Sequence, residues 1–273
     1  MDYEHAVEAV VTWAKGQPNV RAVVLTGSAA DLSQHPLSDR DIELHVRETE
    51  PLELDDSWWE ELGEVLAVER LENAEEQPTR LIYYVGGKLD FTLIDATSRE
   101  NDYERPYSVL LDKDGATSEF SVVAPPAQMP DQNSFDECCN WAAAAALMTA
   151  KAIARDEPWS VVTRDYDLKT ELLRMIEWDH NLRYRGTRDV RYLGTRMRNW
   201  MDPAVQTALE HCWGPFGHDN TRPLLAAISL FDDTATRVAH ESEIESFDLT
   251  AVREEVDRIL STAEGAEMGP DAT

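Results

Sequence analysis

The chain is poor in cysteine and has no long apolar run. Of its three cysteines, Cys138 and Cys139 are adjacent and Cys212 is distant, so the paired spacing of a metal site is missing. Buried free thiols in a reducing compartment are the favoured interpretation. No apolar stretch reaches membrane-spanning length, and the acidic N-terminal residues are unlike a signal peptide. These absences predict a cytoplasmic protein without a membrane partner.

Positive charge is also scarce. The 273 residues include 53 Asp and Glu but only 25 Lys and Arg, which gives a formal net charge of −28. Such a field repels nucleic-acid backbones and attracts small polycations. The composition therefore argues against a nucleic-acid partner. General solubility, or adaptation to a salty cytoplasm, is an alternative explanation of the same acidity.

The most informative motif lies early in the chain, where two predicted strands flank a polar loop. The apolar run Val23–Leu25 leads into Gly27 and Ser28, and Asp39 and Asp41 open the second strand. Because strand residues two apart share a face, both carboxylates can point at one site. Gly27 permits close approach of a ligand to the backbone, and Ser28 adds a hydroxyl. The motif suits a Mg²⁺–nucleoside triphosphate; a turn with surface aspartates is the alternative.

A third carboxylate follows in a predicted hairpin. The strands are Arg80–Val85 and Lys88–Ile94, with Gly86 and Gly87 as the two-residue turn. Asp90 interrupts the second, otherwise apolar strand, which is costly unless the carboxylate is paired or bound to metal. An edge strand with its acid facing solvent is the alternative. Together with the two earlier aspartates, Asp90 predicts a shared site for two Mg²⁺ ions.

The rest of the chain predicts an α+β protein with strands in its first half and helices in its second. Helices are expected at residues 3–15, 58–67, 135–155, 168–185, 193–201, 203–212, 223–240 and 249–263. Trp58 and Trp59 are interpreted as packing residues. The proline-rich segment Ala124–Asp131 is the predicted domain boundary. We therefore expect a mixed-sheet domain with flanking helices over residues 1–131, a helical bundle over 132–263 and a disordered tail over 264–273.

Six segments carry a family resemblance. They are Arg21–Ser28, Asp39–Ile42, Lys88–Ile94, Leu110–Gly115, Ala150-Lys151 with Arg155, and Glu171–Trp178. In this order they resemble the aminoglycoside 6-adenylyltransferases, the streptomycin-modifying branch of the nucleotidyltransferase superfamily. The Leu-Asp-Lys-Asp-Gly and Glu-Leu-Leu-Arg-Met motifs are far more specific than the aspartate pattern alone. The chain departs from the family at Ala29, where Arg is usual, at Arg40, where the superfamily often has an apolar residue, and after Trp178, where only helical character matches.

The resemblance implies Mg²⁺-dependent transfer of AMP from ATP to a hydroxyl of an aminoglycoside, with streptomycin favoured. Pyrophosphate is released and the antibiotic is inactivated. Asp39, Asp41 and Asp90 would be catalytic metal ligands, and Gly27 and Ser28 would bind the terminal phosphates. The alternatives are the same chemistry on another small molecule or a protein hydroxyl, and a non-catalytic nucleotide-binding relative.

The second half offers further candidates, each with an alternative role. Lys151 is predicted to contact the triphosphate, although a solvated helix lysine explains it equally well. The attacking alcohol needs a general base, for which Glu171 has the best motif support; a capping or salt-bridging role is the alternative. Other possible bases are Asp165, Asp167, Glu177 and Asp179. Glu177, Trp178 and Asp179 would also suit recognition of guanidinium groups on the substrate.

Overall fold

The computed structural model describes residues 2–30, 35–55, 57–73, 75–97, 102–123, 129–190 and 193–267. The chain divides into two compact units, Met1–Pro125 and Pro126–Thr273, which we call the sheet unit and the helical unit. The division falls inside the proline-rich segment of the sequence. In the described residues, every strand belongs to the sheet unit and the helical unit contains helices alone. The predicted α+β class is confirmed.

The sheet unit is built on a mixed sheet. Its strands are β1 (Val20–Thr26), β2 (Arg40–Val46), β3 (Val65–Glu72), β4 (Pro78–Tyr84), β5 (Gly87–Asp95), β6 (Asp102–Tyr103), β7 (Ser108–Asp112) and β8 (Ser121–Val122). Six strands form one sheet in the order β3-β4-β5-β2-β1-β7, while β6 and β8 pair separately. Within the larger sheet β2 and β5 are parallel, and the other neighbours are antiparallel.

Short helices and one longer helix accompany this sheet. They are α1 (Tyr3–Gly16), α2 (Gly27–Ala30), α3 (Glu50–Leu54) and α4 (Ser57–Glu60), with a 3₁₀ turn at Ala116–Glu119. Helix α1 matches the predicted helix. Asp2 caps its N-terminus, and the Asp2 carboxylate accepts hydrogen bonds from the backbone N–H groups of Glu4 and His5. Its buried residues Val10 and Ala14 join the core of the sheet unit.

Strand alternation separates the core from a polar face of the sheet. Ile42 on β2 and Phe91 on β5 are 1% and 0% exposed and lie in the core. Asp41 and Asp90, the residues directly before them, therefore face the other side of the sheet. Trp58 stacks on Trp13 and meets Phe91 edge-on, with ring centroids 5.0 Å apart in both pairs. Trp58 and Trp59 are 4% and 1% exposed, which confirms that they are packing residues.

The helix predicted over residues 58–67 is wrong beyond its first turn. Helix α4 ends at Glu60, and β3 begins at Val65. The Tyr84 hydroxyl donates a hydrogen bond of 2.9 Å to the Trp59 carbonyl, which fixes a turn where the helix would have continued. Strand β3 pairs with β4 at the sheet edge and is exposed apart from Val65 and Val68, which are half-buried. Its apolar residues are mostly consecutive, from Val65 to Val68, and so gave no clear strand alternation.

The predicted hairpin is present, but its turn is displaced by one residue. Tyr84 pairs with Gly87, so the turn consists of Val85 and Gly86 rather than the two glycines. Gly86 has a φ of +83°, a conformation that glycine adopts without strain. Gly87 therefore belongs to β5, and the residues that follow it are held in strand register.

The helical unit contains six helices in the described residues. They are α5 (Gln132–Ala154), α6 (Pro158–Tyr184), α7 (Met197–Trp200), α8 (Pro203–Glu210), α9 (Thr221–Glu241) and α10 (Thr250–Glu267). Helix α5 packs against α6, α9 and α10 around one apolar core. All three cysteines are buried and free, as predicted. No described helix combines the length and apolar character that crossing a membrane requires.

Three helices depart most from their predicted bounds. Helix α6 begins at Pro158 rather than Leu168, because proline at the first helical position starts a helix as readily as it ends one. Helix α7 spans only Met197–Trp200 of the predicted 193–201. Helix α10 continues to Glu267, so the first part of the segment predicted to be disordered is helical. Residues 268–273 lie outside the described residues.

Lys113 secures the end of α1 and provides a stability test. Its ammonium donates hydrogen bonds of 2.7 Å to the carbonyls of Ala14 and Gln17. We expect Lys113→Met to lower the free energy of unfolding by about 1–3 kcal/mol, because charge-assisted bonds to the helix terminus are lost. Lys15→Met, at an exposed position of the same helix end, should cost about 0.5 kcal/mol or less. Equal losses in chemical denaturation would contradict this role.

Candidate active site

The three predicted aspartates meet at one end of the sheet. The parallel register of β2 and β5 places Asp41 directly opposite Asp90. Asp39 immediately precedes β2, and Lys88 connects it to Asp90: the ammonium lies 3.0 Å from Oδ2 of Asp39 and 2.8 Å from Oδ2 of Asp90. One ammonium within hydrogen-bond distance of both carboxylates requires that they lie close together. The structure therefore brings the three acids to a single site.

Burial perturbs two of these carboxylates. Burial, followed by the negative charge of Asp39, raises the pKa of Asp41 above its ordinary value. Burial also raises the pKa of Asp90 to about 6, although the hydrogen bond from Lys88 acts in the opposite direction. Within the described structure, Oδ1 of Asp90 is buried and has no hydrogen-bond partner. The site thus holds more negative charge than its one ammonium compensates.

Lys88 is held at the centre of this cluster. Burial lowers the pKa of Lys88, but the hydrogen bonds to Asp90 and Asp39 outweigh burial, so the pKa is raised and the side chain stays charged. Its backbone N–H donates to the Tyr3 hydroxyl over 3.0 Å. Sequence reasoning gave Lys88 no role. The available signal was its position two residues before Asp90, which puts both side chains on one face of β5.

Gly27 forms the wall of the site beside Asp41. Its φ of +66° lies in the left-handed region, and a Cβ there would collide with Oδ2 of Asp41. Glycine is therefore required both by the backbone conformation and by the space available. Ser28 follows within the short helix α2. The backbone of Gly27 therefore comes close to the Asp41 carboxylate without an intervening side chain.

An open cleft adjoins the same cluster. Its volume is about 440 Å³. It is lined by Tyr3, Pro36, Leu37, Asp39, Tyr83, Gly86, Gly87 and Lys88. Every one of these residues belongs to the sheet unit, and two of them form the ion pair at the candidate site. The cluster therefore has free volume directly beside its ammonium.

A fourth acid on this face is already satisfied. Glu43 lies two residues after Asp41 on β2, and its Oε2 accepts a hydrogen bond of 2.6 Å from the Tyr103 hydroxyl. The same oxygen lies 3.3 Å from Nε2 of His45. Sequence reasoning did not single out Glu43, although the alternation that linked Asp39 to Asp41 extends to it. Its partners make it a structural acid rather than an open ligand.

The aspartates as they stand do not form a metal cluster. In the described parts of the chain, no group of three or more His, Cys, Asp and Glu side chains is arranged to hold a metal ion. Asp39 and Asp90 instead share the ammonium of Lys88. Two carboxylates on the ammonium, a third from Asp41 beside Asp90, and an orphaned buried oxygen of Asp90 nevertheless match the donor type that Mg²⁺ prefers.

The predicted substrate ligands of the helical unit are not all available. Asp179 is 2% exposed, and its oxygens accept hydrogen bonds from Arg183 at 2.6 Å and from Arg237 at 2.9 Å. It does bind guanidinium groups, as the sequence suggested, but they belong to its own chain. Trp178 is 7% exposed and lies in the core, with the Arg174 guanidinium 4.8 Å from its ring centroid. Both residues thus make contacts within the helical unit that resemble the contacts predicted for a substrate.

Two glutamates of α6 keep an unsatisfied oxygen. Oε2 of Glu171 and Oε1 of Glu177 are buried without a hydrogen-bond partner in the described structure. The nearest cation to Glu171 is Arg174, at 3.7 Å. Burial raises the pKa of Glu177 to about 7, against a hydrogen bond from the Gly194 backbone. These two remain candidates for chemistry with a ligand.

The other candidates of this unit are paired or exposed. Asp165 binds Lys169 at 2.5 Å, and Asp167 lies 3.5 Å from Arg164. These partners make both acids weaker candidates for a general base. Lys151 is exposed on α5, which is compatible both with a phosphate contact and with a solvated helix residue.

Comparison with known proteins identifies relatives across most of the chain. A family model described as streptomycin adenylyltransferase matches residues 2–255. Aminoglycoside 6-adenylyltransferase of Campylobacter jejuni is 28% identical over 191 residues, which are 63% of this chain and 65% of that protein. The Staphylococcus aureus protein of the same name is 28% identical over 186 residues, 62% and 66% of the two lengths. Each match spans slightly less than two thirds of the relative.

A solved structure is also similar. It is the crystal structure of an aminoglycoside 6-adenyltransferase from Bacillus subtilis, with 19% sequence identity and a TM-score of 0.43. The alignment covers 97% of this chain and 97% of the other.

Glu177 makes stability depend on pH in a defined direction. Its folded pKa of about 7 exceeds the ordinary value of 4.5, so proton binding stabilises the folded state below about pH 4.5 and this contribution is lost as the pH rises through 7. We expect the free energy of unfolding of Glu177→Gln, relative to that of the unmodified protein, to rise by about 1–2 kcal/mol as the pH is raised from 5 to 8. This value is reduced because the side chain is partly exposed to solvent. Chemical denaturation at both pH values measures the difference. A pH-independent difference would contradict burial of this carboxylate.

Proposed function

Because the chain belongs to the streptomycin adenylyltransferase family, we propose that it transfers AMP from ATP to a hydroxyl of an aminoglycoside. Pyrophosphate is released, and the modified antibiotic is inactivated. The observation that carries the proposal is the meeting of Asp39, Asp41 and Asp90 at one end of β2 and β5. The net charge of −28 supports it further, because such a protein attracts a polycationic acceptor.

The three aspartates are the proposed ligands of Mg²⁺. Their oxygens are hard donors, and the unpartnered Oδ1 of Asp90 is a buried acceptor that lacks a cation. Asp39, Asp41 and Asp90 would together hold the bound metal. When bound, the metal supplies charge stabilisation at the phosphoryl group and activation of the attacking hydroxyl. The three carboxylates would hold the metal and offset its positive charge.

The nucleotide is proposed to lie along the Gly27 turn. The Asp41 carboxylate lies where a Gly27 side chain would be, so this turn packs directly against a proposed metal ligand, and its backbone N–H groups are the proposed donors to phosphate oxygens. Ser28 adds a hydroxyl donor at the next position. Lys151, exposed on α5, is retained as a proposed nucleotide-binding cation, since an acidic protein must supply local positive charge to bind ATP.

Glu171 is the proposed general base. An attacking alcohol has a high pKa, so it reacts faster when a carboxylate accepts its proton during the transfer. Oε2 of Glu171 is buried without a hydrogen-bond partner and is therefore ready to accept one. The Arg174 guanidinium lies 3.7 Å from the same oxygen. Glu177 is proposed to recognise a cationic substituent of the acceptor, for which streptomycin, with its guanidinium groups, is the favoured substrate.

The function is tested by pyrophosphate release from ATP and Mg²⁺ in the presence of aminoglycosides. We expect release with streptomycin, and we expect Asp41→Asn to reduce it by about a thousandfold or more, because a ligand at the reacting centre is lost. Asp95→Asn is the matched control: Asp95 is exposed at the other end of β5, where it accepts hydrogen bonds from Thr97. It should retain normal turnover.

Two outcomes would count against the proposal in different ways. Unchanged turnover in a folded Asp41→Asn variant would remove the metal site. Release with another aminoglycoside but not with streptomycin would keep the chemistry and replace the substrate.

A further inference from the structure

We propose that Lys88 is a built-in counter-ion of the metal site, whose ammonium holds Asp39 and Asp90 together until a divalent cation displaces it. The inference rests on the proposed function, since it assumes that these aspartates bind metal. It adds a positioning residue that neither the motif nor the chemistry of AMP transfer requires. Its consequence is that metal binding without nucleotide is weakened.

The contacts of Lys88 place its ammonium where a metal ion would compete. It bonds Oδ2 of Asp39 and Oδ2 of Asp90, two of the three proposed ligands. The lysine side chain is only 17% exposed, so this contact is part of the site rather than a surface ion pair. Without it, three carboxylates would face one another, and like charges at such distances repel. The ammonium offsets this repulsion with a single charge.

The backbone of Lys88 is fixed, whereas its side chain has room to move. The N–H of Lys88 donates to the Tyr3 hydroxyl, and the residue pairs with Tyr83 across the β4–β5 ladder. The open cleft of about 440 Å³ lies directly beside the ammonium. Nζ is already 5.3 Å from the centroid of the Tyr83 ring, a face that attracts cations. A displaced ammonium therefore has a partner and free volume within reach of its flexible stem.

This arrangement couples the binding of metal and nucleotide. A cation that arrives alone must break two charge-assisted hydrogen bonds of Lys88 and leave the ammonium without its carboxylates. A nucleotide brings phosphate oxygens, which give the displaced ammonium a new anionic partner. Lys88 thus favours loading of the site by metal and nucleotide together over loading by metal alone.

The test is a titration of the protein with Mn²⁺ in the absence of nucleotide. The electron paramagnetic resonance signal of free Mn²⁺ measures how much of the metal is bound. We expect Lys88→Met to lower the Mn²⁺ dissociation constant by about tenfold or more, because the competing ammonium is gone. Lys15→Met is the matched control, since it changes the net charge equally at an exposed helix position, and it should shift the constant by less than about twofold. An unchanged or weaker affinity in folded Lys88→Met would overturn the inference.

A second measurement follows the thermal unfolding of the same variants. In EDTA we expect Lys88→Met to unfold at a lower temperature than the unmodified protein. When Mn²⁺ replaces EDTA, the unfolding midpoint of Lys88→Met should rise more than the midpoint of the unmodified protein. Lys88→Arg, which keeps the charge, should retain the weak Mn²⁺ binding of the unmodified protein. Lys88→Gln replaces the methionine variant if the latter does not fold. Equal midpoints in EDTA for all variants would contradict a counter-ion role.

The Asp41→Asn variant separates the two proposals. Binding of Mn²⁺ that Asp41→Asn abolishes but Lys88→Met leaves unchanged would overturn only the role of Lys88. Binding that is absent in the unmodified protein and in Lys88→Met would overturn the proposed metal site, and the counter-ion role with it.

Discussion

The parallel pairing of β2 with β5 is the constraint on which the site depends. It fixes Asp41 opposite Asp90 and brings Asp39 within reach of the same ammonium. A sheet does not gather three acids without cost, because burial and mutual repulsion both disfavour the charged forms. The raised pKa values of Asp41 and Asp90 are the direct expression of that cost.

Several neighbouring features follow from this concentration of charge. Lys88 supplies one compensating cation, and Gly27, without a side chain, leaves room for the Asp41 carboxylate. The opposite face of the same strands is apolar: Ile42 and Phe91 anchor them in the core, so the strands cannot shift to relieve the repulsion. The core therefore holds the acids in a geometry that isolated strands would not maintain. A bound divalent cation would offset the remaining charge.

Much of this was predictable from local patterns. The alternation around Asp39 and Asp41, the polar residue in the apolar strand at Asp90, and the position of Gly27 identified the site, and its motifs identified the family. Local patterns were insufficient where pairing between distant segments decides the secondary structure. The edge strand β3 is specified by its ladder with β4, and the turn at Gly86 by cross-strand register, neither of which is visible in a short window.

Side-chain availability was harder to predict than residue position. Asp179 has the chemistry expected of a guanidinium ligand, but Arg183 and Arg237 already occupy it. Trp178 has the surface of a stacking platform, but it is buried in the core of the helical unit. Sequence identifies which groups are chemically competent. Only packing shows which of them are satisfied within the chain, as the orphaned oxygens of Glu171 and Glu177 illustrate.

The most direct test of the central claim is the position of the metal itself. A crystal structure with Mn²⁺ and a non-hydrolysable ATP analogue, phased to locate anomalous scattering from manganese, provides it. Our account predicts a manganese ion within about 2.0–2.5 Å of carboxylate oxygens from Asp39, Asp41 and Asp90, the coordination range of hard divalent cations. Manganese bound to the phosphates with none of these three aspartates among its ligands would contradict it.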